Sequence, residues 1–179
     1  MRYALVYGGI AGAIVIAILI AGLTFDLPSH FRTEWFGYTV MLAALSLIFV
    51  GIKRYRDVEC GGVIRFVPAL AVGLGIAAVA ALIYILVWEI FLAASGWDFM
   101  TEYTAGIIAD MRAEGASPAA IEAKSREMRE LAVMYENPLF RIPITFVEIF
   151  PVGLVVALVS AALLRNPRFL PAREGPAAV

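Results

Sequence analysis

Residues 66–88 read FVPALAVGLGIAAVAALIYILVW, a run that contains no charged side chain. An α-helix needs about 20 mostly apolar residues to cross a hydrocarbon core roughly 30 Å thick. Residues 3–25 and 35–52 are also free of charge, and residues 142–164 carry only Glu148. The sequence therefore predicts an all-α membrane protein, a bundle of four transmembrane helices at about 3–25, 35–52, 66–90 and 142–164.

Composition supports this class. The 179 residues are 62% hydrophobic and 16% charged, with a mean hydropathy of +0.87, whereas a soluble domain has roughly 45–50% apolar and about 25% charged residues. One membrane domain, 1–179, accounts for the length, and the lipid bilayer is its first expected partner. The net charge of −1 gives no indication of nucleic acid. A single Cys60 excludes an internal disulfide and a cysteine-rich metal site, and a single His30 excludes a multi-histidine catalytic metal site. No cofactor is predicted.

The charged residues between the apolar segments predict the orientation. The N-terminus, the loop 53–65 and the tail after 164 hold eight positive and three negative charges. The loops on the other side hold six positive and ten negative charges. Because lysine and arginine favour the cytoplasmic side, both termini are predicted inside. We expect the first segment to be retained, since its apolar run is too long for a signal peptide.

Residues 93–141 predict a helical hairpin outside the membrane. Apolar residues recur at helical spacing in each half: Met100, Tyr103, Ile107 and Met111, then Ile121, Met128, Leu131 and Tyr135. Gly115 separates the halves, Ser117-Pro118 begins the second helix, and Asn137-Pro138 ends it near Tyr135. The two stripes either pack on each other or on the bundle, or one of them binds a partner or lipid headgroups.

Small residues spaced by four predict close helix packing within the membrane. They are Gly9, Ala13, Ala17 and Ala21 in the first span, Gly73, Ala77 and Ala81 in the third, and Gly153, Ala157 and Ala161 in the fourth. The same motif serves homo-oligomer faces, so a dimer interface stays open as an alternative.

Two carboxylates near the outer ends of the third and fourth spans are the main functional candidates. At 1.5 Å per residue, Glu89 and Glu148 lie roughly 35 and 25 Å from the cytoplasmic ends of their helices. A charge at membrane depth is costly, so such residues often mark function. Neighbouring candidates are Tyr84, Trp88, Asp98 and Arg141.

Structural and functional interpretations of these carboxylates both remain open. Glu89 can reach interfacial water, and Glu148 can pair with Arg141 or Tyr84. Alternatively, the two acids meet and hold a shared proton, a cation or a polar head group. Asp98 either caps the first external helix or joins the same vestibule. Asp26, His30 and Glu34 either form a metal cluster or are solvated surface residues of a short loop.

Several segments resemble the DUF4199 family of bacterial membrane proteins. They are residues 49–57 and 61–66 of the cytoplasmic loop, Trp88-Glu89, residues 135–138, and residues 145–151 with Gly153. The resemblance covers nearly the whole chain and implies a four-helix protein of the bacterial inner membrane. It implies no catalytic residue, since the family has no known function.

Within the resembling loop, Tyr55, Arg56 and Asp57 form a second candidate motif. Locking of the short loop is the first interpretation and a cytoplasmic partner site the second. For the whole protein, the leading prediction is a non-enzymatic accessory or scaffold protein that binds a partner or ligand at its outer face. The alternatives are a small ion-coupled transporter or channel-like oligomer using Glu89 and Glu148, and a membrane enzyme acting on a lipid-linked substrate.

Overall fold

The computed structural model describes residues 1–25, 34–95 and 98–172. Within them every regular element is an α-helix, which confirms the all-α prediction. The helices are α1 Arg2–Thr24, α2 Glu34–Leu45, α3 Leu47–Glu59, α4 Phe66–Ser95, α5 Phe99–Ala113, α6 Pro118–Tyr135 and α7 Pro138–Leu164. Four stretches are long and apolar enough to cross a membrane: Arg2–Thr24, Trp35–Glu59, Phe66–Ala94 and Pro138–Leu164.

The second span is longer than the segment predicted at 35–52. Ser46 separates α2 from α3, and its hydroxyl donates to the Ala43 carbonyl at 2.6 Å, but its backbone is helical and its N–H donates to the Leu42 carbonyl at 3.0 Å. The stretch Trp35–Glu59 is therefore one span. α3 continues to Glu59, well past the apolar segment, and the ion pair between Lys53 and Asp57 at i,i+4 supports this polar extension.

The chain divides into two compact units. Unit 1 comprises Met1–Val87 and Phe146–Val179, and unit 2 comprises Trp88–Thr145. Unit 1 therefore holds α1 to α3 with most of α4 and α7. Unit 2 holds α5 and α6 with the last residues of α4 and the first residues of α7.

In unit 1, α1 packs on α4 through Gly8 and Gly12. A Cβ atom added to Gly8 would lie 2.6 Å from the Ile76 carbonyl oxygen, and one added to Gly12 would lie 2.5 Å from the Ala80 carbonyl oxygen. The predicted stripe beginning at Gly9 was wrong for α1, because a Cβ atom added to Gly9 would lie more than 4 Å from any other helix and Ala13 is exposed. The contact face lies one residue earlier in the helix.

The other predicted small faces are confirmed by the packing of α4 against α7. A Cβ on Gly73 would lie 2.8 Å from that of Ala157, and a Cβ on Gly153 would lie 2.8 Å from that of Ala77. Ala77, Ala157 and Ala161 are buried. The antiparallel helices approach closely because no bulky side chain separates their backbones.

In unit 2, α5 and α6 form the predicted hairpin and begin at the predicted residues. Asp98 accepts from the Thr101 N–H at 3.0 Å, and Ser117 accepts from the Ala120 N–H at 3.3 Å. These bonds satisfy N–H groups that have no partner inside the helix. Met100, Ile108 and Met128 are buried between the helices, so Ile108 takes the position that the apolar stripe assigned to Ile107.

Candidate functional site

Glu89 and Arg141 form an ion pair in unit 2. Arg141 donates from Nε to Glu89 Oε1 at 2.7 Å and from Nη2 to Oε2 at 2.5 Å. Both side chains are largely covered, with 14% of Arg141 and 24% of Glu89 exposed. A two-point contact between a guanidinium and a carboxylate fixes geometry as well as charge. The last turns of α4 are therefore joined to the first turn of α7.

Arg141 also contacts the end of α6. It donates from Nη1 to the Tyr135 carbonyl at 3.0 Å, and its guanidinium lies 5.6 Å from the centre of the Tyr135 ring. The Tyr135 hydroxyl in turn accepts from Trp88 Nε1 at 2.9 Å. We call these four residues the clasp: Trp88, Glu89, Tyr135 and Arg141. A cation at a helix C-terminus also interacts favourably with the helix dipole.

An aromatic cluster extends the clasp toward α5. Phe99 lies edge-on to Trp88, with ring centres 5.1 Å apart, and 5.6 Å from the Tyr135 ring. Tyr103 stacks on Phe99 at 5.6 Å. Edge-to-face and offset aromatic pairs at these separations are favourable. All four helices that contribute to unit 2 thus meet at Phe99 and the clasp.

Glu148 lies in unit 1 and has a different environment. Its carboxylate accepts from the Tyr84 hydroxyl at 3.4 Å, the long end of hydrogen-bond distances. Tyr84 is buried, whereas Glu148 is exposed on the surface of α7. At 1.5 Å per residue, Glu148 lies about 15 Å from Pro138 and about 24 Å from Leu164 along the helix. It is therefore a surface carboxyl in the interior of an apolar span.

The two predicted carboxylates thus have separate partners in separate units. The guanidinium of Arg141 binds both oxygens of Glu89, and Glu148 contacts Tyr84. Asp98 caps α5, one of its two predicted roles. The Thr101 hydroxyl, 2.6 Å away, and the Thr101 N–H hold the pKa of the Asp98 carboxyl below its usual value.

The Tyr55-Arg56-Asp57 motif lies at the end of α3 in unit 1. Arg56 is completely buried and donates to the Phe169 carbonyl at 2.9 Å, the Leu170 carbonyl at 2.5 Å and Asp57 at 2.7 Å. Tyr55 lies edge-on to Tyr3 at 5.5 Å. These contacts favour the structural interpretation, but Arg56 binds the chain after α7 in addition to its own loop.

Sequence reasoning missed two components of these sites. The Phe169 and Leu170 groups that bind Arg56 are backbone carbonyls, which every residue possesses, so no side-chain pattern could reveal them. Tyr135 was assigned only to an apolar stripe. Its position two residues before Asn137, at a helix end six residues from Arg141, was the signal that the two would meet.

Among the described residues no group of three histidine, cysteine, aspartate or glutamate side chains is placed to hold a metal ion. Of the cluster considered from the sequence, Asp26 and His30 lie outside the described residues, as does the side chain of Glu34.

Comparison with known families identifies the chain. The family model of proteins of unknown function DUF4199 matches residues 6–166, most of the sequence. The chain belongs to the DUF4199 family. No curated protein and no solved structure matches it. The match extends over all seven helices, so both units of this DUF4199 protein belong to the family's shared region.

Proposed function

We propose that this DUF4199 protein is a non-enzymatic accessory protein of the bacterial inner membrane, which binds a protein partner through unit 2. The observation that carries the proposal is an exposed apolar surface beside the clasp. Val133 and Met134 on α6 and Leu139 in the first turn of α7 are 70, 46 and 84% exposed.

The neighbouring polar groups of unit 2 already have structural roles. Glu89 and Arg141 neutralise each other, Trp88 and Tyr135 share a hydrogen bond, and Asp98 is an N-cap. Such a constellation holds a surface in place and offers no poised nucleophile or base. Exposed apolar residues on a fixed frame are typical of a binding surface.

The charge pattern distinguishes a protein partner from a lipid surface. The exposed face of α6 carries both signs, including pairs between Glu122 and Arg126 and between Lys124 and Glu127. Helices that bind anionic membranes instead carry an excess of lysine and arginine. This mixed face supports a protein partner.

A photo-crosslinking residue at Val133 tests the proposal in intact cells. We expect a discrete protein adduct from Val133 and from Leu139, but not from the matched control Glu127, which lies on the charged face of the same helix. Adducts are identified by mass spectrometry. Lipid adducts alone at Val133, or the same adducts at Glu127, would contradict a protein-binding role.

Orientation is part of the proposal: both termini face the cytoplasm, so that unit 2 faces outward. The charge bias of the loops supports it. Cys60 is the only thiol in the sequence and is partly exposed at the end of α3. A membrane-impermeant maleimide is expected to label Cys60 in inverted vesicles and not in intact cells. The opposite result would place unit 2 inside.

A small ion-coupled transporter is the rival function, and Glu148 is the observation that favours it. Because Arg141 occupies both oxygens of Glu89, the rival now depends on Glu148. Ion flux into proteoliposomes discriminates the two functions. Flux that is abolished by Glu148→Gln would favour transport, while an absence of flux with the wild-type protein supports the accessory role.

A further inference from the structure

Glu148 interrupts an otherwise apolar, exposed face of α7. Val147, Pro151, Val155 and Leu158 recur on the same side of the helix at three- and four-residue spacing, and all are exposed. In a membrane this face meets either hydrocarbon or another apolar surface. A carboxyl group among these side chains needs a polar partner, since lipid tails offer none.

The Glu148 carboxyl group and the Val147 carbonyl can each form further hydrogen bonds on this face. Within the described residues the Tyr84 hydroxyl is the hydrogen-bond partner of Glu148, at 3.4 Å and on one oxygen only. Pro151 has no N–H to donate to the Val147 carbonyl, one turn earlier in the helix. A group from another molecule that both donates and accepts at this depth would satisfy the Glu148 carboxyl group.

We propose that this face of α7 docks against the same face of a second copy of the chain, with the two Glu148 carboxyl groups hydrogen-bonded to each other. The inference is independent of the partner proposed for unit 2. In the pair, each carboxyl group holds its proton and donates its O–H to the carbonyl oxygen of the other. No charge remains in the membrane.

A second copy fits this face better than a different partner because the face is self-complementary. A symmetric dimer brings identical patches together, so each group must bind its own equivalent. A carboxylic acid is both donor and acceptor and meets this condition. Arg141, the basic side chain of α7, is bound to both oxygens of Glu89, and the residues on either side of Glu148 are apolar.

The test measures dimerisation of the full-length protein in lipid bilayers over a range of protein-to-lipid ratios. We expect wild type and Glu148→Gln to dimerise, because the amide keeps a donor and an acceptor. Glu148→Leu is expected to weaken the dimer about tenfold, the size of an interhelical hydrogen-bond contribution in membranes. Dimers of Glu148→Leu as stable as wild type would overturn the proposal, as would a wild type that stays monomeric.

Cysteine crosslinking tests the interface itself and retains the acid. In a Cys60→Ser background, Val147→Cys is expected to form a crosslinked dimer with a membrane-permeant oxidant. Ile18→Cys is the matched control: Ile18 is exposed on α1, about 24 Å from the start of its helix, which gives it a depth similar to Glu148. Equal crosslinking at both positions, or crosslinking of Val147→Cys to a different protein only, would overturn the proposal.

A steric variant covers the case in which Glu148→Leu fails to insert. Val155→Trp adds bulk to the proposed interface, one to two turns from Glu148, and Ile18→Trp adds it to α1. We expect loss of the dimer only with Val155→Trp. Unchanged dimerisation in both variants would contradict an interface on this face.

Discussion

In unit 1, α4 packs against α1 and α7 at glycine and alanine, whereas the helices of unit 2 meet through an ion pair, hydrogen bonds and aromatic rings. Gly12 brings α1 against the backbone of α4, and Gly73 and Gly153 bring α4 against α7. In unit 2, Arg141 binds Glu89 and the end of α6. In lipid, apolar side chains gain little by leaving hydrocarbon, so close backbone packing stabilises unit 1. In unit 2 the polar and aromatic contacts instead hold the helix ends together.

The comparison predicts that unit 1 is most sensitive to added volume. Gly12→Ala would place a Cβ atom 2.5 Å from the Ala80 carbonyl oxygen. We expect it to lower the free energy of unfolding by about 3 kcal/mol, the upper part of the range for overpacking, because backbone has to move. The measurement is reversible unfolding of the purified protein in mixed micelles.

Gly9→Ala is the matched control for that prediction. No atom lies within 4 Å of the position that its Cβ would occupy. Since alanine favours helix over glycine by about 1 kcal/mol, the control is expected to be neutral or slightly stabilising. Equal destabilisation by both variants would show that contact between α1 and α4 is not what Gly12 provides.

Unit 2 should be most sensitive to removal of a polar partner. Arg141→Met keeps an unbranched apolar stem but leaves Glu89 without its cation and the Tyr135 carbonyl without a donor. We expect a loss of about 2 kcal/mol, less than for a fully buried pair because both side chains retain some exposure. Hydrogen exchange of α6 amides before and after the substitution measures the effect within unit 2.

The double variant Arg141→Met with Glu89→Gln tests whether charge pairing is the cause. Removing the second charge is expected to recover part of the lost protection, because Glu89 is then no longer an unpaired ion. No recovery would indicate that Arg141 acts through its contacts with Tyr135 alone.

The sequence predicted those features that depend on neighbouring residues better than those that depend on contacts between distant residues. The presence of four long apolar helices, the two N-caps and the end of α6 follow from local composition, and the structure confirms them. The packing face of α1 was predicted one residue too late. One series of small residues begins at Gly8 and another at Gly9, and only the contact with α4, which the sequence does not show, distinguishes them. The partners of Glu89, Glu148 and Arg56 depend on tertiary contacts, so local patterns could name candidates such as Arg141 and Tyr84 without choosing between them.

A helix cap of unit 2 sharpens the comparison on a smaller scale. Ser117 is the N-cap of α6 and accepts a hydrogen bond from the Ala120 N–H, and Pro118 is the first residue of the helix. Ser117→Ala is expected to destabilise α6 by about 1 kcal/mol, the usual effect of losing an N-cap. Ser125→Ala is the control, because its hydroxyl contacts the Ile121 carbonyl within the helix and caps nothing. Amide exchange in the first turn of α6 should increase only in Ser117→Ala.

The smallest expected effect is a pH dependence at the start of α5. The Thr101 hydroxyl and N–H lower the pKa of Asp98 in the folded protein, so the folded state binds the proton more weakly than the unfolded state. The stabilising contribution is therefore present above the unfolded pKa of about 3.9 and is lost as the pH falls through the folded value. Asp98→Asn keeps a cap that does not titrate. Amide protection in the first turn of α5, corrected for intrinsic exchange, should decrease in wild type relative to Asp98→Asn between about pH 5 and pH 2.5. A constant difference between the two proteins over that interval would mean that the ionised carboxylate is not what stabilises this end of the hairpin, and that the cap acts through hydrogen bonds alone.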